Sequence, residues 1–178
     1  HNNLRSQTQT RLDEGFLVFD TQNTRAFTLN QTIKMGVGRI PGFDDAIAHS
    51  YTTSLDTGDF TKRAANTAGF NFYVPQPIVL VVKKNSSVLK NLRDWLKTHT
   101  AAGKISVKSM LLIDDEADNA SVNTNKADKH PTRINGYIRD ILGLFNRSAY
   151  VGYTATPFAN IFIPLDDSDL FPRDFIIN

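Results

Sequence analysis

The chain has 178 residues, of which 40% are hydrophobic and 21% are charged, and its formal net charge is +2. These values are ordinary for a soluble globular domain and do not by themselves indicate a nucleic-acid or membrane partner. The chain has no cysteine, which excludes disulfides and thiolate metal sites and favours a cytoplasmic location. The longest purely apolar run, residues 78–82, is far shorter than the roughly 20 residues that cross a bilayer.

The first third of the chain carries the weaker structural signals. Residues 4–14 predict a short polar helix, in which Leu4 and Leu12 lie two turns apart and form a thin apolar stripe. Residues 20–75 are rich in Thr, Asn, Gly and aromatic residues without a clear period. We therefore interpret residues 1–75 as an irregular or inserted part of a single partial lobe that spans the whole chain.

From residue 76 to residue 178, apolar runs alternate with amphipathic stretches. The runs predict strands at 78–82, 110–113 and 149–153, of which the first two are of the type that is buried on both faces. The stretches between them predict two helices, the first capped by Ser87. Their apolar faces are formed by Val88, Leu89, Leu92, Trp95 and Leu96, and by Ile134, Ile138, Ile141, Leu142 and Phe145. Strands that are separated by helices of this length pair in parallel, so the pattern predicts an α/β fold.

Two polar clusters follow two of the predicted strands directly. The first is acidic and occupies residues 114–118, and the second is the Thr-Ala-Thr-Pro segment at residues 154–157. Ligands of open α/β sheets bind outside the carboxyl ends of the strands. We therefore expect both clusters to lie at one edge of the sheet, where chemistry is expected.

The acidic cluster predicts a site for Mg²⁺ and a water-activating base. Asp115 is the candidate Mg²⁺ ligand, because Mg²⁺ prefers carboxylates and waters. Glu116 is the candidate base that orients or deprotonates an attacking water. The alternative is an acidic loop that leads into a helix, whose N-terminus favours Asp and Glu.

The second cluster offers small hydroxyl groups to the first. The hydroxyl groups of Thr154 and Thr156, on either side of Ala155, are small enough to hydrogen-bond the nearby carboxylates. We expect one of them to reach Asp115 or Glu116. The alternative is a turn in which the hydroxyl groups bond their own backbone.

Together the two clusters resemble the second and third motifs of superfamily-two helicases, the DEAD form of the Walker B element and a Ser/Thr-Ala-Thr segment. The second resemblance implies that Thr154, Ala155 and Thr156 couple the nucleotide state to the rest of the motor. The stretches LLIDDEADNAS and INGYIRDILGLFNRSAYVGYTATPFANIFI resemble the Z-one domain family of endonuclease proteins in bacterial restriction and defence loci. The opening HNNLRSQTQTRLDEGF and PIVLVVKKNSSVLKNLRDWL extend the resemblance over most of the chain. It implies a RecA-like parallel sheet with helices on both faces, the cofactors Mg²⁺ and ATP, DNA as a partner, and a nuclease or other defence protein as a further partner.

One family element is missing from the sequence. A phosphate-binding loop needs Gly-x-x-x-x-Gly-Lys-Ser/Thr, and the one Gly-Lys pair, Gly103-Lys104, is followed by Ile105 and ends a predicted helix. We therefore expect a fragment that begins after this loop and has no ATPase activity alone. We also expect the open edge of the strand at 149–153 to be covered, by the first third of the chain or by self-association.

Nucleic-acid contacts are predicted where the strand at 78–82 ends. The better candidates are Lys83, Lys84, Asn85 and Ser86, which open a stretch rich in basic residues. The alternative is a solvated face. No acid-x-Lys or His-x-Lys pair of a nuclease is present. The competing function for the whole chain is a catalytically inert interaction module of the same fold that bridges a nuclease or another partner.

Overall fold

The computed structural model describes residues 2–22, 33–42, 48–69, 71–118 and 132–155. The chain divides into two compact units, His1–Lys84 and Asn85–Asn178, which we call unit 1 and unit 2. Each unit contains a two-stranded parallel sheet and helices, so the fold is α/β. Within the described ranges, no helix combines the length and apolar character that a membrane span requires.

Unit 1 is built from short elements. They are α1 (Asn2–Leu12), a π-helical turn (Asp13–Leu17), a 3₁₀ turn (Gly36–Arg39), β1 (His49–Ser50), α2 (Lys62–Thr67) and β2 (Ile78–Val79). Strands β1 and β2 pair in parallel, with His49 opposite Ile78. A small apolar core of Leu17, Phe19 and Ala48 packs against Val79.

Helix α1 buries a polar stripe instead of the predicted apolar one. Leu4 is 56% exposed, so the prediction of a Leu4–Leu12 core stripe was wrong. The buried side chains are Arg5, Gln9 and, in the π-helical turn, Asp13, at 5%, 0% and 0% exposure. The spacing of four residues keeps these side chains on one face of the helix. Polar side chains of unit 1 hydrogen-bond Gln9 and Asp13 in the interior, whereas Arg5 donates to a backbone carbonyl, that of Leu55.

Strand β2 ends at Val79, three residues before the predicted end of the run. Its partner β1 also has only two residues. The parallel ladder therefore offers no further carbonyl acceptors to the residues that follow Val79. Side chains accept the next hydrogen bonds instead. The Val81 amide donates to Thr52 Oγ1 at 2.9 Å, and the Lys83 amide donates to the Asp59 carboxylate at 3.4 Å.

Unit 2 contains two strands and two helices. They are α3 (Ser86–Lys97), β3 (Met110–Asp115), α4 (Arg133–Gly143) and β4 (Ser148–Tyr153). Strands β3 and β4 are parallel and in register from Met110 opposite Ser148 to Asp115 opposite Tyr153. The predicted parallel pairing of these two strands is confirmed. Among the described residues, the second edge of β4 has no strand beside it.

The two helices of unit 2 bury the faces that the sequence predicts. In α3 the buried side chains are Leu89, Leu92, Trp95 and Leu96, and in and just after α4 they include Ile138, Ile141 and Phe145. The predicted cap was wrong by two residues. The side chain of Asn85, not Ser87, caps α3 by accepting a hydrogen bond from the Val88 amide at 2.9 Å.

One face of the β3–β4 sheet is exposed, so the prediction that the strand at 110–113 is buried on both faces was wrong. Leu111, Ile113, Val151 and Tyr153 share that face by the register, and their exposures are 60%, 61%, 40% and 61%. The other face carries the buried Asp114 and lies toward α4, which contacts β4. The exposed side chains form a continuous apolar surface.

Arg93 joins α3 to α4. Its guanidinium donates hydrogen bonds to Asp94 at 2.6 Å and to Asp140 at 3.0 Å, and its charge centre lies 4.7 Å from the centre of the Tyr137 ring. Lys90 also contacts Asp94, at 3.1 Å. The hydrogen bonds from Arg93 and then from Lys90 lower the pKa of Asp94.

This lowered pKa predicts an acid-sensitive contribution to the stability of unit 2. A carboxylate with a depressed folded pKa stabilises the fold above its unfolded pKa of about 3.9, and the contribution is lost as the pH falls through the folded value. We expect Asp94→Asn to flatten the dependence of the unfolding free energy on pH below about 4. Trp95, the sole tryptophan of the chain, reports unfolding by fluorescence. An unchanged pH profile in the variant would contradict a stabilising contribution from the lowered pKa of Asp94.

Candidate active site

The two predicted clusters meet at one end of the unit 2 sheet. Asp115 is the last residue of β3 and lies opposite Tyr153, the last residue of β4. Because the strands are parallel, the residues that follow both of them emerge at the same edge. This geometry agrees with the shared edge predicted from the sequence.

Asp114 and Asp115 occupy different environments because consecutive strand residues face opposite sides of a sheet. Asp114 is 5% exposed, and its Oδ2 accepts a hydrogen bond from the Tyr150 hydroxyl at 2.9 Å. Asp115 is exposed, and its Oδ1 accepts a hydrogen bond from the Glu116 amide at 3.0 Å. The buried carboxylate therefore joins β3 to β4, whereas Asp115 is accessible to a ligand.

The turn after β3 has an unusual backbone. Glu116 has φ of 53°, in the left-handed region that residues other than glycine rarely adopt. The next residue, Ala117, is buried, and its amide donates to the Tyr153 carbonyl at 2.9 Å. A Cβ on Gly152 would lie 2.9 Å from the Ala117 Cβ, so both positions need small residues. The two strand ends therefore approach each other closely beside the exposed Glu116.

Thr154 contacts the acidic turn from the second strand. Its Oγ1 donates to Asp118 Oδ1 at 2.7 Å. We expected Thr154 or Thr156 to reach Asp115 or Glu116, and the hydrogen bond shown for Thr154 instead involves the last carboxylate of the cluster. Ala155 is exposed beside it. Thr156 lies outside the described residues.

Sequence reasoning did not assign Asp118 or Tyr150 a role, although both contact the site. The signal for Asp118 was its position as the last carboxylate of the acidic cluster, on the turn that meets β4. The signal for Tyr150 was its register, because it lies opposite Leu112 and so shares a sheet face with Asp114.

The exposed carboxylates suit a Mg²⁺ ion that is held mainly by other ligands. Within the described ranges, no group of three or more His, Asp or Glu side chains is placed to hold a metal by itself. Mg²⁺ usually takes one or two protein carboxylates and fills its other positions with waters and phosphate oxygens. Asp115, exposed at the strand end beside Glu116, provides hard oxygen donors of this kind.

The candidate nucleic-acid residues fall on both sides of the boundary between the units. Lys83 and Lys84 are half-buried at the end of unit 1, and Ser86 is the first residue of α3 in unit 2. The side chain of Asn85 caps α3, which gives it a structural role. Among the more distant basic residues, Lys90 and Arg93 are engaged by Asp94.

The Gly103-Lys104 pair is not a phosphate loop. Gly103 has φ of 78° in a tight turn between Ala101 and Lys104, and this turn follows α3 instead of opening a helix. The Lys104 ammonium donates to the Gly143 carbonyl at the end of α4. Its charge therefore serves the helix C-terminus, where a cation is favourable.

No family model, curated protein or solved structure matches this chain significantly.

Proposed function

We propose that the chain is part of a RecA-like lobe of a DNA-directed, superfamily-two helicase-type ATPase, as its resemblance to the Z-one domain family implies. The observation that carries this proposal is the meeting of two motifs at one edge. The acidic turn after β3 and Thr154 after β4 lie on adjacent parallel strands and contact each other through Asp118. A helicase-type ATPase requires this arrangement of its hydrolysis and coupling motifs.

In this proposal the two exposed carboxylates have different tasks. Asp115 would hold Mg²⁺, which when bound neutralises charge on the nucleotide phosphates. Glu116 would orient the attacking water and accept its proton. The left-handed backbone of Glu116 supports a functional role, because strained conformations persist where a side chain must be aimed in a particular direction.

Thr154 would couple the state of the acidic turn to β4 and to the segment that follows it. Its hydrogen bond to Asp118 is charge-assisted, and such bonds are stronger than bonds between neutral groups. A change in the position of the turn during hydrolysis would therefore displace the end of β4. Ala155 and Thr156 would extend this coupling element.

The complete protein would supply what the 178 residues lack. ATP binding requires a phosphate loop, which this sequence does not contain. DNA would contact the protein partly through Lys83 and Lys84, and DNA cleavage would depend on residues outside this chain or on a partner nuclease. We assign the site as Mg²⁺- and ATP-dependent only in that complete protein.

A second candidate function has one specific observation in its favour. The exposed apolar face of Leu111, Ile113, Val151 and Tyr153 is a type of surface that soluble proteins bury against another element or partner. An inert interaction module would use this face and leave the carboxylates without a catalytic task. The two functions differ in their response to substitutions of the carboxylates.

Calorimetric titration with Mg-ATP tests the assignment. We expect the 178-residue chain to bind no tighter than millimolar and to hydrolyse no ATP, because Asp115 and Glu116 contact the nucleotide only through Mg²⁺ and water. A longer form that includes an upstream phosphate loop should bind in the micromolar range, and Asp115→Asn in that form should weaken the Mg²⁺ dependence. Micromolar binding by the short chain would show that its nucleotide site is already complete. Failure of the longer form to bind would contradict the ATPase assignment.

A further inference from the structure

A buried arginine in unit 1 has donors without acceptors. Arg5 is 5% exposed, and its Nε and Nη1 atoms are buried with no hydrogen-bond partner. The remaining nitrogen, Nη2, donates to the Leu55 carbonyl. The nearby hydroxyl-bearing residue Thr53 also has a buried Oγ1 atom without a partner.

Leaving such groups unpaired is costly. A buried donor without an acceptor costs about 1–3 kcal/mol, and more when the group is charged. Burial lowers the pKa of Arg5, and the carboxylates of Asp59, Asp56 and Asp13 oppose that shift. None of the three forms an ion pair with the guanidinium. Asp13 accepts from Gln9 and Thr21, and Asp59 accepts from the Lys83 amide.

The cover over Arg5 is a small surface loop, residues 53–58, which we call the covering loop. Two backbone hydrogen bonds close it, from Thr53 to Gly58 and from Gly58 to Leu55, both at 2.9 Å. Gly58 is needed there because a Cβ would lie 2.0 Å from the Thr53 hydroxyl. The loop contacts α1 through two oxygen acceptors, namely the Leu55 carbonyl on Arg5 and Asp56 Oδ1 on the Ser6 hydroxyl at 3.0 Å.

An open cleft of about 250 Å³ lies beside this contact. It is lined by polar residues of α1 and one residue of the covering loop, namely Ser6, Gln7, Thr10, Arg11 and Ser54. Ser6 therefore both lines the cleft and contacts Asp56. A ligand in the cleft would meet the second cation of α1, the exposed Arg11, whereas Arg5 lies under the covering loop and does not line the cleft.

We propose that Arg5 and Ser6 form a binding site for a phosphoryl oxyanion, and that Asp56 of the covering loop occupies the ligand's place in the closed state. A phosphoryl group offers several acceptor oxygens, which match the planar fork of an arginine and a neighbouring hydroxyl. Entry requires the exposed Asp56 and Leu55 to move, whereas Asp13 and Asp59 keep their own partners. The inference uses only residues of unit 1 and does not depend on the ATPase assignment.

The test is isothermal titration calorimetry of the 178-residue chain and its variants with inorganic phosphate. Asp56→Asn should tighten phosphate binding by about tenfold, because it removes a like charge that competes for the site. Arg5→Gln and Ser6→Ala should each weaken it in the Asp56→Asn background. Arg63→Gln, on the exposed face of α2, makes the same charge change as Arg5→Gln and should leave binding unaltered.

A parallel titration with a single-stranded oligothymidylate distinguishes a free phosphate from a backbone phosphodiester as the ligand. Binding of both probes identifies the phosphodiester as a ligand, and binding of phosphate alone identifies a free phosphoryl group. Because Arg5 is buried, circular dichroism checks that its variant is folded, and Ser6→Ala provides an independent test if it is not. The proposal is overturned if the Asp56→Asn protein binds neither probe. It is also overturned if, in the Asp56→Asn background, the Ser6→Ala and Arg63→Gln variants bind phosphate equally well.

Discussion

Replacing Glu116 with Gln in the complete ATPase is expected to lower ATP turnover by about 10²–10⁴-fold, the usual contribution of a general base. The substitution keeps the size of the side chain and removes its ability to accept the proton of the attacking water. Nucleotide binding should be retained, because the exposed carboxylate is not needed for phosphate contacts. Steady-state ATPase rates and equilibrium nucleotide binding, measured on the same preparation, separate the two effects.

The chain offers a matched control for this experiment. Glu14 is the only other glutamate in the sequence, and it is exposed in the π-helical turn of unit 1. Glu14→Gln should leave turnover unchanged. Normal turnover in the Glu116→Gln protein would contradict the role of Glu116 as the base and would favour the interaction-module function instead.

Replacing Gln9 with Leu is expected to lower the free energy of unfolding of unit 1 by about 3–5 kcal/mol, since each buried polar group that loses its partner costs about 1–3 kcal/mol. Gln9 Nε2 donates to Asp13 Oδ1 at 3.0 Å and to Ser50 Oγ at 3.2 Å. Its Oε1 accepts from the Thr52 hydroxyl at 2.7 Å. Three buried groups therefore lose a partner together.

The loss of stability should extend beyond α1, because the hydrogen-bond network of Gln9 continues through Asp13. Asp13 Oδ2 accepts from the Thr21 hydroxyl at 2.6 Å, and burial already raises the pKa of Asp13. The hydrogen bond from Gln9 favours the ionised form, so its removal should raise that pKa further. A carboxyl group with a raised folded pKa stabilises the fold below its unfolded pKa, and this stabilisation is lost as the pH rises through the folded value. The decrease in the free energy of unfolding that Gln9→Leu causes should therefore be smaller at pH 4 than at pH 7.

Urea unfolding, monitored by circular dichroism, measures the loss of unfolding free energy. Hydrogen exchange of the Val81 amide, which donates to Thr52 Oγ1, shows whether the loss reaches this part of the network. Gln7→Leu is the matched control, because Gln7 is exposed on the same helix. Its effect should lie within about 0.5 kcal/mol, as for most surface substitutions. Equal stability of the two variants would show that the buried network contributes little.

Local sequence patterns were sufficient for most of unit 2. The helical stripe that contains Leu89, Leu92 and Trp95 predicted the buried face of α3, because the period of an amphipathic helix is set by its geometry. The aliphatic runs before Asp115 and Thr154 predicted β3 and β4, and their separation by a helix predicted parallel pairing. The location of both polar clusters at one edge of the sheet followed from that order alone.

The partners of individual side chains could not be obtained in this way. That Thr154 bonds Asp118, and that Tyr150 bonds Asp114, depends on the register and twist of two strands, which local sequence does not specify. The cap of α3 by Asn85 instead of Ser87 depends on where the preceding chain enters the helix. The difference between the predicted and the observed cap is two residues, within the usual uncertainty of a helix boundary.

The sequence by itself determined the α/β class, the strands and helices of unit 2 and the edge at which its acidic and threonine-containing loops meet, because hydrophobic period and strand order depend on local geometry. Only the tertiary structure decided which face of α1 is buried. Periodicity assigns apolar residues such as Leu4 to the interior, but Arg5, Gln9 and Asp13 are buried there because Ser50, Thr52, Thr21 and the covering loop surround them with polar groups. Gln9 and Asp13 are stable in the interior because their hydrogen-bond partners are in place, and those partners come from parts of the chain up to 43 residues away.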